Sequence, residues 1–135
     1  MNEKELCKEA IDAMKNAYAP YSGYKVGAAL LTEKGKLFAG CNIENAAYTP
    51  TVCAERVALF NAISSGERNF TAIAVAGGKD GVISGAFPPC GVCRQVMAEF
   101  CATDFTVLVV TGEDSYKKYT LNELFPQAFT PKNIE

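Results

Sequence analysis

The sequence predicts a single α/β domain over residues 1–135, in which one five-stranded mixed sheet packs between helices in three layers. Strand-like and helical patterns follow one another in the order α-β-β-α-β-α-β-β-α. The run from Val107 to Val110 is continuously apolar, as expected of a central strand. The next strand follows Gly112-Glu113-Asp114, a connection too short for a parallel return. The last two strands should therefore be antiparallel.

The composition is that of an ordinary soluble globular protein. Hydrophobic residues make up 49% of the chain and charged residues 21%, and the net charge is −2. Lysine and arginine are scattered, without the basic stripe of a nucleic-acid-binding protein. The segment Met1–Glu5 is too charged for a signal peptide, and no apolar run approaches the length of a membrane span. We expect a cytoplasmic protein with neither a nucleic-acid nor a membrane partner.

The first part of the chain predicts a helix followed by a β-hairpin. Residues 3–18 carry apolar side chains at helical spacing, with Glu and Lys on the other face, and predict a core-facing helix. Residues 24–31 and 37–43 predict two antiparallel strands joined by a turn at 33–36. Gly27 and Gly40, inside these strands, indicate either a close approach of another backbone or a bulge.

Two further helices are expected to be buried. Residues 52–64 are apolar almost all round, Phe60 included, and predict a buried helix. A strand over 70–76 and a glycine-rich loop over 77–88 follow it. A second buried helix should begin near Cys90. Beyond it, the pattern predicts strands over 105–111 and 115–119 and a short last helix that opens with the capping box Thr120-Leu121-Asn122-Glu123 and ends at Pro126.

The cysteines and the lack of histidine limit the kinds of catalytic and metal sites that the chain can form. The chain has 6 cysteines and 0 histidines, which excludes Ser-His and Cys-His nucleophile pairs and any imidazole metal ligand. Because a chain with a proper core and no signal peptide rarely needs disulfides, metal binding or buried thiols are expected. Cys7 and Cys101 are interpreted as buried thiols.

Two short motifs hold the remaining chemistry. Cys53-Ala54-Glu55 and Pro89-Cys90-Gly91-Val92-Cys93 each lie where a loop turns into a helix. A helix N-terminus favours negative charge and therefore favours thiolates. Three thiols and one carboxylate match a catalytic zinc site, which has three protein ligands and an open fourth position. Because the surrounding helix is apolar, the carboxylate of Glu55 needs a functional reason to be there.

Two other interpretations of the cysteines stay open at this point. The first is a structural zinc site with Cys41 as the fourth ligand, although such sites normally have two Cys-x-x-Cys pairs and this chain has one. The second is a redox site at Cys90-Gly91-Val92-Cys93, which leaves Cys53 and Glu55 without a role.

The motif pair resembles that of the cytidine deaminase superfamily in its all-cysteine form. The resemblance implies one Zn²⁺ per subunit on Cys53, Cys90 and Cys93, and the hydrolytic deamination of free cytidine and deoxycytidine in pyrimidine salvage. It implies that Glu55 is the general acid/base, moving a proton from water to the ring nitrogen N3 and then to the departing amine. It also implies that Arg56 offsets the charge of the thiolates by hydrogen bonding to sulfur. Arg94 is interpreted as a surface ion pair.

The substrate contacts are also implied by the resemblance. The segment Cys41–Tyr48 is similar to a nucleoside-binding segment in which Asn42 and Glu44 hydrogen-bond the ribose, and Tyr48 and Ala54 are further expected contacts. The run Tyr24-Lys25-Val26-Gly27-Ala28-Ala29 is similar to the family's Phe-x-Val-Gly-Ala-Ala, so Tyr24 should lie against the substrate.

The chain terminus carries the last matching motif. Phe125-Pro126-Gln127-Ala128-Phe129 is similar to the family's Leu-Pro-x-Ala-Phe, whose final phenylalanine covers the base in a neighbouring subunit. The resemblance therefore implies a homotetramer with shared active sites. Alternatives are an aminohydrolase of the same fold with another substrate, such as blasticidin S, a nucleic-acid-editing deaminase and a zinc-stabilised binding module.

Overall fold

The regular structure of the chain consists of four α-helices, five strands and two short 3₁₀ helices, at Met14–Asn16 and Pro131–Ile134. The computed structural model describes residues 1–135. The elements in chain order are α1 (Glu3–Ala13), β1 (Tyr24–Thr32), β2 (Leu37–Cys41), α2 (Ala54–Ser64), β3 (Phe70–Lys79), α3 (Gly91–Phe100), β4 (Thr106–Gly112), β5 (Ser115–Thr120) and α4 (Leu121–Leu124). None of the helices combines the length and the apolar character that crossing a membrane requires.

The strands form one mixed sheet in the order β2-β1-β3-β4-β5. Strands β3 and β4 are parallel, and every other neighbouring pair is antiparallel. The crossover between β3 and β4 contains α3, whereas only two residues separate β4 from β5. The predicted five-stranded mixed sheet with an antiparallel last pair is confirmed.

The helices cover both faces of the sheet, which gives three layers. On one face, Leu6 and Ala10 of α1, together with Met14 just after it, pack with Leu108 and Val110 of β4. On the other face, α2 and α3 share a second apolar cluster with Val107, Val109 and other strand residues. Successive residues of β4 therefore point to opposite faces, and all four are buried because both faces are covered.

Two glycines allow the helices to lie close to the sheet. A Cβ atom on Gly27 would lie 2.1 Å from the carbonyl oxygen of Ala10 in α1. A Cβ atom on Gly40 would lie 2.5 Å from the backbone nitrogen of Ala58 in α2. No side chain fits at either position, so the close approach predicted from these glycines is confirmed.

Three local predictions differ from the structure. Strand β3 continues past Ala76 to Lys79 because its glycines pair with β1 up to Tyr24, instead of starting a loop. Strand β2 stops at Cys41, and Ile43 forms only isolated bridges. Phe60 of α2 is 46% exposed, so the expectation that this helix is buried all round is wrong. The helix buries only the side that carries Ala54, Ala58, Leu59 and Ala62, and Phe60 lies on the opposite, exposed side.

Candidate metal centre and active site

The N-termini of α2 and α3 present their cysteines to a common point. Cys53 is the N-cap residue of α2 and Cys90 is the N-cap residue of α3, both with extended backbone. Neither side chain makes the usual hydrogen bond to its own helix. Both thiols are therefore free to turn toward Cys93, which lies buried in the first turn of α3.

The three sulfurs lie at the spacing of a shared metal. The Sγ atom of Cys90 is 3.7 Å from that of Cys53 and 3.6 Å from that of Cys93. All three lie within 4.8 Å of one another. Tetrahedral zinc bound to sulfur at about 2.3 Å separates two sulfurs by about 3.8 Å. The three cysteines therefore fit zinc in both donor type and spacing, and they leave a fourth position for a non-protein ligand.

Cys41 does not belong to this group. It lies at the end of β2, and the cluster of potential metal ligands contains only Cys53, Cys90 and Cys93. All six cysteines are free thiols. The geometry therefore favours three thiolate ligands over the four-cysteine structural alternative. It also disfavours the redox alternative, because a third sulfur lies beside the Cys90–Cys93 pair.

Arg56 provides positive charge beside the sulfurs. Its Nη2 atom donates a hydrogen bond to Cys53 Sγ at 3.3 Å, and its buried Nε has no partner. A hydrogen bond from Cys93 and the bond from Arg56 hold the pKa of the Cys53 thiol below its usual value. This arrangement favours a thiolate at Cys53 at neutral pH and removes electron density from its sulfur.

Glu55 is a buried carboxyl group next to the thiols. It follows Cys53 by two positions in the first turn of α2 and is 4% exposed. Burial raises the pKa of Glu55 to about 7, and the neighbouring Cys53 adds to this effect. A carboxyl group with a pKa near neutrality can both accept and release a proton under physiological conditions.

A cavity of about 220 Å³ opens beside these groups. Of the residues that the sequence singled out, Asn42, Glu44, Ala54 and Glu55 line it together with Cys53 and Cys90. Apolar side chains supply much of the remaining wall, as is usual for small-molecule sites. The cavity therefore combines ligand thiols, a proton-transfer group and two polar side chains at its edge.

Sequence reasoning missed the residues that shape the rest of this cavity. They are Val26, Thr51, Val52, Val75, Phe87 and Pro88. Phe87 covers Gly77, where a Cβ atom would lie 2.8 Å from the phenylalanine ring, and its centroid is 5.8 Å from that of Tyr24. The one available signal was the position of Phe87-Pro88 directly before Pro89-Cys90. The wall residues from the strands carry no such signal because they look like ordinary core.

Asn42 and Glu44 are already held by hydrogen bonds to the backbone. Asn42 Oδ1 accepts from the backbone nitrogen of Val26 at 2.8 Å, and its Nδ2 donates to the Tyr24 carbonyl at 2.8 Å. Glu44 accepts from the backbone nitrogens of Tyr21 and Ser22 and from the Ser22 hydroxyl. These bonds with Ser22 and Tyr21 keep the pKa of Glu44 below its usual value. Because a carboxylate has about four acceptor positions, roughly one remains for a ligand.

Three other predicted substrate residues lie outside the cavity wall of a single chain. Tyr24 packs on Phe87 instead of entering the cavity and is 42% exposed. Tyr48 is 74% exposed, with a φ of 61°, and lines a more open neighbouring depression together with Glu44. The ring of Phe129 is exposed, while its carbonyl accepts a hydrogen bond from Gln95 Nε2 at 2.8 Å.

Arg94 forms no surface ion pair, so that interpretation is wrong. Its Nε donates to the Pro89 carbonyl at 2.7 Å, and its Nη1 donates to the Leu124 carbonyl. The side chain is half-buried between α3 and α4, where backbone carbonyls satisfy the guanidinium and no carboxylate is within reach.

This fold places three converging thiols and a buried glutamate at a small-molecule cavity, which is the arrangement of a hydrolytic zinc enzyme. Residues 1–109 match the family model described as the cytidine and deoxycytidylate deaminase zinc-binding region. The chain belongs to the cytidine and deoxycytidylate deaminase family.

Individual relatives agree with this assignment over almost the whole chain. A cytidine deaminase of Halalkalibacterium halodurans is 47% identical over 134 residues, which cover 99% of this chain and 98% of the relative. A crystal structure of cytidine deaminase from Burkholderia pseudomallei aligns with a TM-score of 0.88 and 44% identity, over 96% of this chain and 100% of the other. The structure of the Mycobacterium tuberculosis cytidine deaminase aligns with a TM-score of 0.82 and 33% identity, over 96% and 98%.

Proposed function

We propose that this protein hydrolytically deaminates free cytidine and deoxycytidine to uridine and deoxyuridine, with release of ammonia. The observation that carries the proposal is the convergence of Cys53, Cys90, Cys93 and the buried Glu55 on one cavity. Membership of the deaminase family and the cytidine deaminases among its relatives support the same substrate class.

Cys53, Cys90 and Cys93 are the proposed holders of one zinc ion. When bound there, zinc supplies the Lewis acidity that makes water a competent nucleophile at neutral pH. The positive charge of Arg56 partly neutralises the thiolates through its hydrogen bond to Cys53. Without this bond, three thiolates would place more negative charge on the metal and weaken its effect on water.

Glu55 is the proposed proton carrier. In the balanced reaction, a water oxygen replaces the exocyclic amine at C4 of the base, and that amine leaves as ammonia. Glu55 accepts a proton from the water, delivers it to the ring nitrogen N3, and then assists protonation of the departing amine. Its burial supports this role. A carboxyl group with a pKa of about 7 can accept a proton from water and release it again at neutral pH.

Asn42 and Glu44 form the proposed sugar subsite. The backbone hydrogen bonds described above fix both side chains before a ligand arrives, so binding costs little side-chain entropy. Each retains unused capacity, a donor hydrogen on Asn42 Nδ2 and an acceptor position on Glu44. A sugar hydroxyl can accept from the first and donate to the second. Ala54, which lies in the cavity wall, is a further proposed contact.

Tyr24, Tyr48 and Phe129 are proposed to complete the site in a homotetramer with shared active sites. Tyr24 would act through its packing on Phe87, and Tyr48 from the depression beside Glu44. The exposed ring of Phe129 supports a role in covering the base of a neighbouring subunit.

We also propose a single catalytic domain over residues 1–135 and a cytoplasmic location. A reducing compartment would keep all six thiols free and a thiolate metal site intact. Recycling of free pyrimidine nucleosides is the corresponding cellular role.

A substrate panel tests the proposed function directly. Purified, zinc-replete protein is assayed by absorbance with cytidine, deoxycytidine, cytosine, adenosine and blasticidin S. We expect turnover of cytidine and deoxycytidine, and a much lower kcat/KM for cytosine. A substrate without the sugar leaves the free Nδ2 hydrogen of Asn42 and the remaining acceptor position of Glu44 without their proposed partner. Turnover of blasticidin S alone would favour the alternative aminohydrolase, and equal kcat/KM for cytosine and cytidine would contradict the sugar subsite.

A further inference from the structure

Arg94 contacts both peptide groups that flank Cys90. Its guanidinium Nε donates to the Pro89 carbonyl at 2.7 Å, and this carbonyl belongs to the peptide before Cys90. Its backbone nitrogen donates to the Cys90 carbonyl at 3.0 Å, which belongs to the peptide after Cys90. With both flanking peptides held by one residue, the backbone rotation that would redirect the Cys90 thiol is restricted.

Cys90 needs such a restraint more than Cys93 does. Cys93 is fully buried among α2 and α3 side chains, so packing fixes its rotamer. Cys90 is exposed, and its side chain makes no capping bond to its own helix. The orientation of the Cys90 thiol therefore depends on its backbone. Pro89, which precedes it, is fully buried and fixes the position of that backbone but not the direction of its peptide plane.

The second guanidinium bond ties this turn to another element. Arg94 Nη1 donates to the carbonyl of Leu124, the last residue of α4. The start of α4 is fixed by a capping box between Thr120 and Glu123. The guanidinium that binds the Pro89 carbonyl is therefore itself fixed, because its other end is bonded to α4. That helix is in turn anchored to the end of β5.

We propose that Arg94 is a positioning residue of the metal site, which fixes the Cys90 ligand by clamping the Pro89 carbonyl to the end of α4. This role rests on the proposed ligand set and assigns no contact between Arg94 and the substrate. Arginine suits it because a planar guanidinium presents two nitrogens to two carbonyls at once, whereas a lysine ammonium has no rigid fork.

Zinc release tests this role with a matched control. Arg68 is the control because its Nη1 also donates to two backbone carbonyls, those of Ile63 and Glu67, at the opposite end of α2 from Cys53. The variants are Arg94→Met, Arg94→Lys and Arg68→Met. Each is loaded with zinc and mixed with an excess of a chromogenic chelator, well below its own unfolding temperature, and the release rate is recorded alongside kcat and KM for cytidine.

We expect Arg94→Met to release zinc about 10-fold faster or more than the wild type, the usual size of effect for a residue that orients a metal ligand. Arg94→Lys keeps the charge but loses the fork, so its release rate should lie between those two proteins. Arg68→Met should release zinc like the wild type. In the Arg94 variants kcat should fall while KM stays nearly constant, because the sugar subsite is untouched.

Several results would overturn the role of Arg94. If Arg94→Lys releases zinc at the wild-type rate, any faster release from Arg94→Met is due to the lost positive charge and not to lost positioning of Cys90. Equal zinc release rates in Arg94→Met and Arg68→Met would mean that Arg94 has no specific effect on the metal site and only stabilises the fold in general. If Arg94→Met does not fold, Arg94→Lys against the wild type decides. Wild-type protein that binds no zinc would contradict the metal site itself, a failure that is distinguishable from the failure of Arg94 alone.

Discussion

At the scale of single residues, the proposed reaction depends on a carboxyl group kept away from water. Glu55 and Thr32 are the polar side chains buried in the core, and only Glu55 faces the thiol cluster. Burying a carboxyl group is costly unless it is neutral or compensated. Here burial raises the pKa to about 7, so the cost is reduced by protonation. The same property suits Glu55 to proton transfer.

Replacing Glu55 with glutamine should separate metal binding from chemistry. Glutamine has the same shape but cannot carry a proton, so Glu55→Gln should fold, retain zinc and lose turnover by about 10²–10⁴-fold. Circular dichroism, metal analysis and a cytidine assay measure the three properties. Turnover close to that of the wild type would remove Glu55 from the mechanism.

The distinction between three and four thiolate ligands can also be tested at one residue. Cys41 lies outside the sulfur cluster, so Cys41→Ala should retain one zinc per chain. Cys53→Ala, the matched variant inside the cluster, should lose most of its zinc during dialysis against a chelator. Metal analysis of both proteins makes the comparison. Loss of zinc from Cys41→Ala would favour the structural four-cysteine site.

At the scale of secondary structure, the site depends on how closely α2 lies on the hairpin. Gly40 of β2 contacts the backbone of α2, the helix that carries Cys53 at its cap and Glu55 in its first turn. Any atom placed between β2 and α2 must push the helix outward. Such a shift would move Cys53 away from Cys90 and Cys93, which belong to a different helix.

Gly40→Ala should therefore destabilise the protein much more than the same change at Gly35 of the hairpin turn. The new methyl group at position 40 would lie 2.5 Å from Ala58 N and 2.6 Å from Ala54 O, which predicts a loss of about 3 kcal/mol. Gly35 has a φ of +84° but open space around it, so Gly35→Ala should cost only about 1 kcal/mol.

Urea unfolding of both zinc-loaded variants measures the difference. Metal analysis shows whether Gly40→Ala also loses zinc, as a displaced α2 would require. Equal unfolding free energies for the two variants would mean that α2 moves freely relative to β2, contrary to the close contact in the structure.

At the scale of the whole molecule, the exposed apolar side chains indicate surfaces that a single chain leaves uncovered. Phe60 on α2, Val92 on α3 and Phe129 in the terminal segment are all about half exposed. Gln95 holds the backbone of Phe129 close to α3, while the ring points outward. An ordered backbone with an exposed ring suits a side chain that docks on another subunit.

Complementation tests whether that docking builds a shared site. Glu55→Ala and Phe129→Ala, each impaired alone, are unfolded, mixed and refolded together. In mixed assemblies some sites combine Glu55 of one chain with Phe129 of another, so activity should exceed that of either parent refolded separately. If verified mixed assemblies form and no activity returns, the shared-site proposal is wrong.

The sequence by itself determined the elements, the sheet class and the candidate metal ligands. Apolar periodicity is a local property, so α1 to α4 and the five strands could be predicted within a few residues. The antiparallel β4–β5 pair followed from the length of one turn. Cys53, Cys90, Cys93 and Glu55 could be selected as candidates because their two motifs resemble those of zinc deaminases, and because three thiols fit a metal site with an open position.

The tertiary structure alone decided how those residues meet. The cavity walls at Val26, Val75 and Phe87 come from segments far apart in the chain and look like ordinary core in sequence. The extension of β3 to Lys79 depended on β1 as a partner, since glycine alone predicts a loop. Arg94 was misread because its two acceptors are backbone carbonyls, and carbonyls are present at every position of any sequence. Only three-dimensional proximity selects which of them a side chain will bind.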